Sequence, residues 1–329
     1  MRLIDIVKNS PRRLVVPLMG YPGSQLTQST LKQNGFNSEL HYRSIYKLAE
    51  RFQPDAIFFM MDLSVEAGAL GLQVRYPLEE SASVEFHPVR SVADINRYKV
   101  LDPLFDARVR CYIDTMRLLC RNMTSILKGG YVIGPFTLAG LMIGASDIAV
   151  ATIDNPDLVY AALNYAEDVI TRYAKELINA GADMIAILEP TAVMLSPKSF
   201  QNFSGSYLSR IARRLDTMTI LHICGDTTHL LRAMSEIEMQ GLSLDSAVDL
   251  AAAAKVVPSD CVLIGNVDPV RVMVNQKPEG VRLAVRELLG QMSPYQNFIL
   301  STGCDLPQET PLENIDAFMR EGKSWVYAR

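Results

Sequence analysis

The chain has 329 residues, 49% hydrophobic and 21% charged, with a formal net charge of −4. Disorder needs low hydrophobicity and high net charge, so these values exclude it. The slight acidity leaves no basic footprint for nucleic acid or an anionic membrane, and the length suits one large α/β barrel or two mid-sized domains.

The first residues, MRLIDIVKNSPRR, mix charge with apolar side chains and hold no signal-peptide core. Eight short runs then read as strands: 14–19 (LVVPLM), 56–60 (AIFFM), 131–136 (YVIGPF), 184–188 (MIAIL), 219–224 (TILHIC), 242–245 (LSLD), 262–267 (VLIGNV) and 298–301 (FILS). Most are nearly continuous apolar runs, the signature of parallel strands covered on both faces. The first is the weakest, because Pro17 sits inside it. The gap at 61–130 is long enough for more than one helix, and residues 78–92, alternating around His87-Pro88, predict an inserted hairpin. Asn155-Pro156 caps a helix in which Leu158, Ala162, Tyr165, Val169, Tyr173 and Leu177 recur every three or four residues, and Gly181 stops it. Residues 281–292 predict a similar helix before the last strand. Together these predict one (β/α)8 TIM-barrel catalytic domain over 1–329, with an insertion at about 61–130 and the site at the C-terminal ends of the strands. A doubly wound open sheet is the alternative. No run of 18 apolar residues occurs, so no membrane span is predicted.

The chemistry concentrates at His222-Ile223-Cys224. Residues i and i+2 of a strand point to one face, so an imidazole and a thiolate leave the end of the fifth predicted strand together. Cys304 follows the eighth in Ser301-Thr302-Gly303-Cys304-Asp305, and Asp245 ends the sixth. In a barrel all four reach one rim. Zinc is commonly held by cysteine sulfur, histidine nitrogen and carboxylate oxygen. A zinc site is therefore expected, with His222, Cys224 and Cys304 as fixed ligands and Asp245 or water in the fourth position. The competing reading is plain strand packing.

Five cysteines, an odd number, do not form a disulfide framework, and a reducing cytoplasm is expected. Cys111, Cys120 and Cys261 read as apolar filler. Tyr21, Ser24 and Gln25 follow the first predicted strand, Asp62, Ser64 and Glu66 the second, and Asn266 and Asp268 end the seventh. Each is a candidate substrate or cofactor contact, or a loop cap. His229 reads as a surface or supporting residue, and His41 and His87 have no motif around them.

These residues resemble the zinc-dependent branch of the uroporphyrinogen decarboxylase superfamily, which includes methylcobamide:coenzyme M methyltransferases. Cobalamin-independent methionine synthase uses a similar zinc pattern. The resemblance extends over nearly the whole chain. It includes Met61-Asp62-Leu63-Ser64-Val65-Glu66-Ala67 through Leu70-Gly71, Gly134-Pro135-Phe136-Thr137, Glu189-Pro190, Ser196-Pro197 and Gly303-Cys304-Asp305-Leu306-Pro307 to Asn314. It implies a (β/α)8 barrel and methyl transfer involving a corrinoid, methylcobalamin or cob(I)alamin, carried by a separate corrinoid protein.

The implied zinc ligands are His222, Cys224 and Cys304, with Asp245 in place of the Glu that many relatives carry. Glu189 stands where an Asp is common, as an additional ligand, a substrate contact or a support. Asp62 matches a decarboxylase position thought to face pyrrole nitrogens. The small-molecule partner is expected to be a zinc-activated thiol of the coenzyme M type. The alternative is a methyl ether whose methyl group passes to reduced corrinoid, an O-demethylase reaction. A decarboxylase fits less well: residues 19–24 hold no arginine for substrate carboxylates, and Gly303-Cys304-Asp305 stands where those enzymes resemble Gly-His-Gly.

Overall fold

The computed structural model describes residues 2–325. In chain order its strands are β1 (Ala56–Phe58), β2 (Val74–Arg75), β3 (Ser83–Val84), β4 (Leu127–Ile133), β5 (Met184–Leu188), β6 (Met218–Ile223), β7 (Gly241–Leu244), β8 (Val262–Val267) and β9 (Phe298–Thr302). Seven of them form a parallel sheet in the order β1-β4-β5-β6-β7-β8-β9, while β2 and β3 pair antiparallel. Helices connect the parallel strands, and the sheet curls around an interior to which all seven strands contribute side chains, so both faces are covered. That is why β5, Met-Ile-Ala-Ile-Leu, is buried at every position.

The expectation of eight strands is met only in part. Residues 14–19 do not form a strand, and Val15 makes one parallel bridge to Leu300. Val16 N–H donates to Leu300 and Leu300 N–H to Leu14 on the β9 side, at 2.8 and 3.0 Å. On the β1 side, Asp55 N–H donates to Val15, and the Asp55 carboxylate accepts from Val15 N–H at 2.7 Å. Pro17 offers no N–H to continue the ladder. Leu18 N–H turns instead to Thr302 Oγ1 at 3.1 Å. The segment thus spans the two sheet edges without strand geometry.

The predicted helix after Asn155 is Pro156–Asn179, and Asn155 caps it by accepting from Leu158 N–H. All six of its periodic positions are buried. Gly181, at φ +109°, ends it in a conformation that favours glycine. The last predicted helix is Pro278–Gln291. The third predicted strand is shifted: β4 starts at Leu127, and Gly134-Pro135-Phe136 opens helix Pro135–Ile143 with proline in its first turn. The insertion between β1 and β4 holds helices Val65–Ala69, Val92–Tyr98 and Ala107–Asn122 besides the β2–β3 hairpin. That hairpin lies earlier than expected and leaves His87 outside it, bonded to Leu141 O at 2.7 Å. Among the described residues no single helix is long and apolar enough to cross a membrane.

Register sets the site. Leu188 of β5 pairs with His222 of β6, and His222 pairs with Ser243 of β7. The residues just beyond these strand ends, and Gly303 just beyond β9, therefore gather at one edge of the sheet.

Candidate metal centre

His222 Nε2 lies 3.2 Å from Cys224 Sγ and 3.7 Å from Cys304 Sγ, and the two sulfurs are 3.5 Å apart. Zinc bonds of about 2.3 Å to sulfur and about 2.0 Å to nitrogen, set tetrahedrally, put ligand atoms roughly 3.5–3.8 Å apart. The triangle fits that size. A cystine needs about 2.05 Å between sulfurs, so these are two thiols. His222 is buried, and both cysteines are half-buried. The imidazole is oriented from behind: its Nδ1 lies 3.0 Å from Ser243 Oγ.

The thiols influence one another. The hydrogen bond with Cys304 pulls the Cys224 pKa down, whereas Cys304, bonded to Cys224 and buried, is held well above its ordinary value. Burial pushes Cys111 and Cys120 up to about 11 and Cys261 to about 12, in keeping with apolar filler. Gly303 is required for the approach of the Cys304 loop, because a Cβ there would stand 2.5 Å from Ser246 N.

The expected acidic partners are engaged elsewhere. Asp245 stands outside the triangle: one oxygen accepts from Gly225 N–H and the other from Ala247 N–H, both at 2.9 Å. It ties the loop after β7 to the turn that follows Cys224. Glu189 is fully buried and caps helix Pro135–Ile143, accepting from Phe136 N–H, Thr137 N–H and Ser204 Oγ–H at 2.8–2.9 Å. Burial raises its pKa against those bonds. Its oxygens thus satisfy the first N–H groups of that helix, which gives it a capping role. Asn266 donates its amide to Asp245 O and Val248 O at 2.8 and 2.7 Å, which braces the loop after β7. Asp268 likewise accepts from Val270 and Arg271 N–H. His229 bonds Leu195 O at 3.1 Å, a supporting contact.

Asp62 belongs to a separate cleft. Its carboxylate pairs with Arg108 and accepts from Ser64 Oγ–H at 2.7 Å and Tyr112 O–H at 3.2 Å. The Arg108 guanidinium lies over the rings of Phe36 and Tyr76, at 5.4 and 4.7 Å from their centroids. Tyr21 lines the same cleft, with its hydroxyl on Met61 O and Ser81 Oγ. Asp305 joins cleft to metal loop: one oxygen accepts from Gly20 N–H and the other from Met61 N–H, at 3.1 and 3.2 Å. Gln25 braces the loop by donating to Thr310 O at 2.9 Å, Ser24 bonds Tyr21 O, and Glu66 accepts from Ile133 N–H at 2.8 Å.

The model of the uroporphyrinogen decarboxylase (URO-D) family matches residues 16–325. The chain belongs to that family. Within URO-D, methylcobamide:CoM methyltransferase MtbA of Methanosarcina acetivorans is 30% identical over 280 residues, covering 83% of this chain and 80% of the relative. A uroporphyrinogen decarboxylase of Prochlorococcus marinus is 26% identical over 310 residues, covering 91% and 88%. Among solved structures, a methyltransferase from Methanosarcina mazei superposes with a TM-score of 0.89 at 24% identity, covering 98% of this chain and 97% of the other. A B12-independent methionine synthase from Shewanella sp. shares the fold at a TM-score of 0.60 and 12% identity, covering 87% and 86%.

Sequence reasoning missed Ser243, Arg108, Tyr112 and the brace at Asp305. It also passed over His41, which is buried and accepts from Met60 N–H at 3.0 Å, fixing the backbone that leads to Asp62. One signal was present in the text: Ser243 is the polar residue in the otherwise apolar run Gly-Leu-Ser-Leu.

Proposed function

We propose that this URO-D chain is a zinc-dependent methyltransferase. It moves a methyl group between a corrinoid, carried by a separate corrinoid protein, and a small thiol of the coenzyme M type. The observation that carries this reading is the His222–Cys224–Cys304 triangle, whose donor types and spacings suit zinc. The similarity to the MtbA methyltransferases supports it. Free cysteines agree with the cytoplasmic location expected of such an enzyme.

Zinc at these residues would supply a deprotonated substrate sulfur at neutral pH, where a free thiol of pKa near ~8.5 is mostly protonated. The chain does the rest. Cys224 and Cys304 would hold the zinc as thiolates, which would keep the site electron-rich. His222 would offer Nε2, with Nδ1 held against Ser243 Oγ. Asp305 holds the Gly20 and Met61 backbones against the Cys304 loop, which ties the segments that carry Tyr21 and Asp62 to that loop. Asp62 and Tyr21 would orient the rest of the substrate in their cleft. Asp245 orders the rim through Gly225 N–H and Ala247 N–H.

The same cleft gives one observation in favour of a second reading. Tyr21, Phe36, Tyr76 and Tyr112 line it, a surface suited to an aromatic ring. An aryl methyl ether would then be the donor and reduced corrinoid the acceptor. A decarboxylase has less support, since the loop at 19–24 brings no arginine to the site.

The test is turnover by zinc-loaded protein with methylcobalamin and 2-mercaptoethanesulfonate, followed by loss of the methylcobalamin spectrum. Demethylation of the corrinoid is expected. Cys304→Ser is expected to lose about 100-fold or more, the several kcal/mol that a bound metal supplies. If the protein instead methylates cob(I)alamin from aryl methyl ethers and ignores thiols, the second reading replaces the first. If it does neither and decarboxylates a porphyrinogen, both fail.

A further inference from the structure

We infer that Ser243 is the positioning residue that fixes the tautomer and orientation of His222 for metal binding. The inference rests on the zinc reading above and adds a residue to it.

The strand register creates the contact. His222 on β6 and Ser243 on β7 are direct cross-strand partners, and both side chains face the interior of the sheet. Around them that interior is mostly apolar, with Ala186, Ile220, Ile264 and Ile299 among its lining, and Tyr131 and Asp55 are its other residues with polar side chains. Ser243 is 3% exposed, and its hydroxyl bonds His222 Nδ1 at 3.0 Å. No other side-chain hydrogen bond of Ser243 occurs among the described residues. A buried hydroxyl without a partner is costly, and β7 is otherwise Gly, Leu and Leu. A serine here is explained by the imidazole it faces.

The consequence follows from the two ring nitrogens. Nε2 points at the two sulfurs and must present a lone pair to a metal. The proton then belongs on Nδ1, where Ser243 Oγ accepts it. Without the hydroxyl, Nδ1–H loses its side-chain acceptor and keeps only the weaker main-chain contact that Ser243 also offers the ring. The ring would favour the other tautomer, with its proton on Nε2, where it blocks coordination.

The experiment is zinc affinity by competition with a chromophoric chelator, on wild type, Ser243→Ala and Ser243→Thr. Thermal melts of the chelator-stripped proteins run alongside. Ser243→Ala is expected to bind zinc about 10–100-fold more weakly, the usual effect of losing a group that orients a metal-bound histidine. Its stripped form is expected to melt close to stripped wild type. Ser243→Thr keeps the hydroxyl and should hold zinc within a few-fold of wild type. Cobalt(II) loading gives an independent readout, since a displaced imidazole alters the visible ligand-field bands in Ser243→Ala. Equal zinc affinity in wild type and Ser243→Ala overturns the inference while leaving the zinc reading intact. So does equal weakening in Ser243→Thr and Ser243→Ala. A wild type that binds no zinc overturns the zinc reading, and this inference with it.

Discussion

Arg108 and Asp62 pair across 46 residues of sequence, and both are nearly buried, at 5% and 11% side-chain exposure. Removing one partner of such a pair leaves an uncompensated charge, so Arg108→Met is expected to destabilise the protein by about 3–5 kcal/mol. The double variant Arg108→Met/Asp62→Asn is expected to recover part of that loss in urea titrations, because neither charge is then left alone. Equal stability of wild type and Arg108→Met would refute the pairing. His41 carries the pH prediction. Burial, and then the Arg108 charge, push its pKa down to about 3, against 6.5 for an ordinary histidine. The folded state therefore holds it neutral while the unfolded chain takes up a proton below pH 6.5. The contribution is complete above about pH 6.5 and lost as pH falls toward 3, at up to about 1.4 kcal/mol per pH unit. A His41→Gln variant should show a shallower acid loss than wild type; identical slopes would contradict the burial of a neutral ring. His222 and Cys224 were legible in the sequence because strand periodicity alone puts i and i+2 together. Ser243 and Arg108 were not, because their partners are set by strand register and helix packing, which no local pattern contains.

Between elements, one carboxylate ties the end of β5 to helix Pro135–Ile143, beside the Gly134 N–H bond to Leu188 O. Glu189 follows β5 and caps the helix that follows β4. A Cβ at Gly134 would stand 2.1 Å from its Oε2, so the chain comes as close as glycine permits. Glu189→Ala leaves two backbone N–H groups and the Ser204 hydroxyl unpaired, and about 3 kcal/mol or more of stability should be lost. Glu189→Gln keeps one acceptor oxygen and should lose less. If zinc content fell in Glu189→Gln with stability unchanged, the capping role would be wrong. The same logic applies to Gly303→Ala, which should lower zinc content through the collision with Ser246 while the fold is kept. A Gly303→Ala protein with full zinc would show that the loop yields freely. The continuous strands and the long helix were readable because apolar runs and 3.6-residue spacing survive any packing. The segment 14–19 was misread because its apolar run resembles a strand, while Pro17 denies it the ladder. The start of β4 was missed because Leu-Lys-Gly-Gly lacks an apolar run. The expected hairpin at 78–92 was displaced because alternation in a short polar insertion fixes no register.

Over the whole molecule, the parallel sheet brings residues from distant parts of the sequence to one rim, and the His222–Cys224–Cys304 triangle spans positions 222 to 304. That convergence depends on the whole fold. The C-terminal ends of β6 and β9 must lie together, with the segment from Leu14 to Leu18 bonded beside β9. A parallel α/β sheet and the clustering of His222, Cys224 and Cys304 were legible in the sequence because strand alternation and His-x-Cys followed by Gly-Cys are local signals, whereas the eighth strand is not formed. The substrate cleft was not legible there, since it assembles Tyr21, Asp62, Tyr76 and Arg108 from four separate segments. The central claim is that His222, Cys224 and Cys304 hold zinc, and metal content by elemental analysis tests it most directly. Wild type prepared with zinc available should carry about one zinc per chain, the capacity of a single three-residue site closed by substrate or water. His222→Ala and Cys304→Ser should carry little. A well-folded wild type without zinc, or variants that hold as much as wild type, would contradict it.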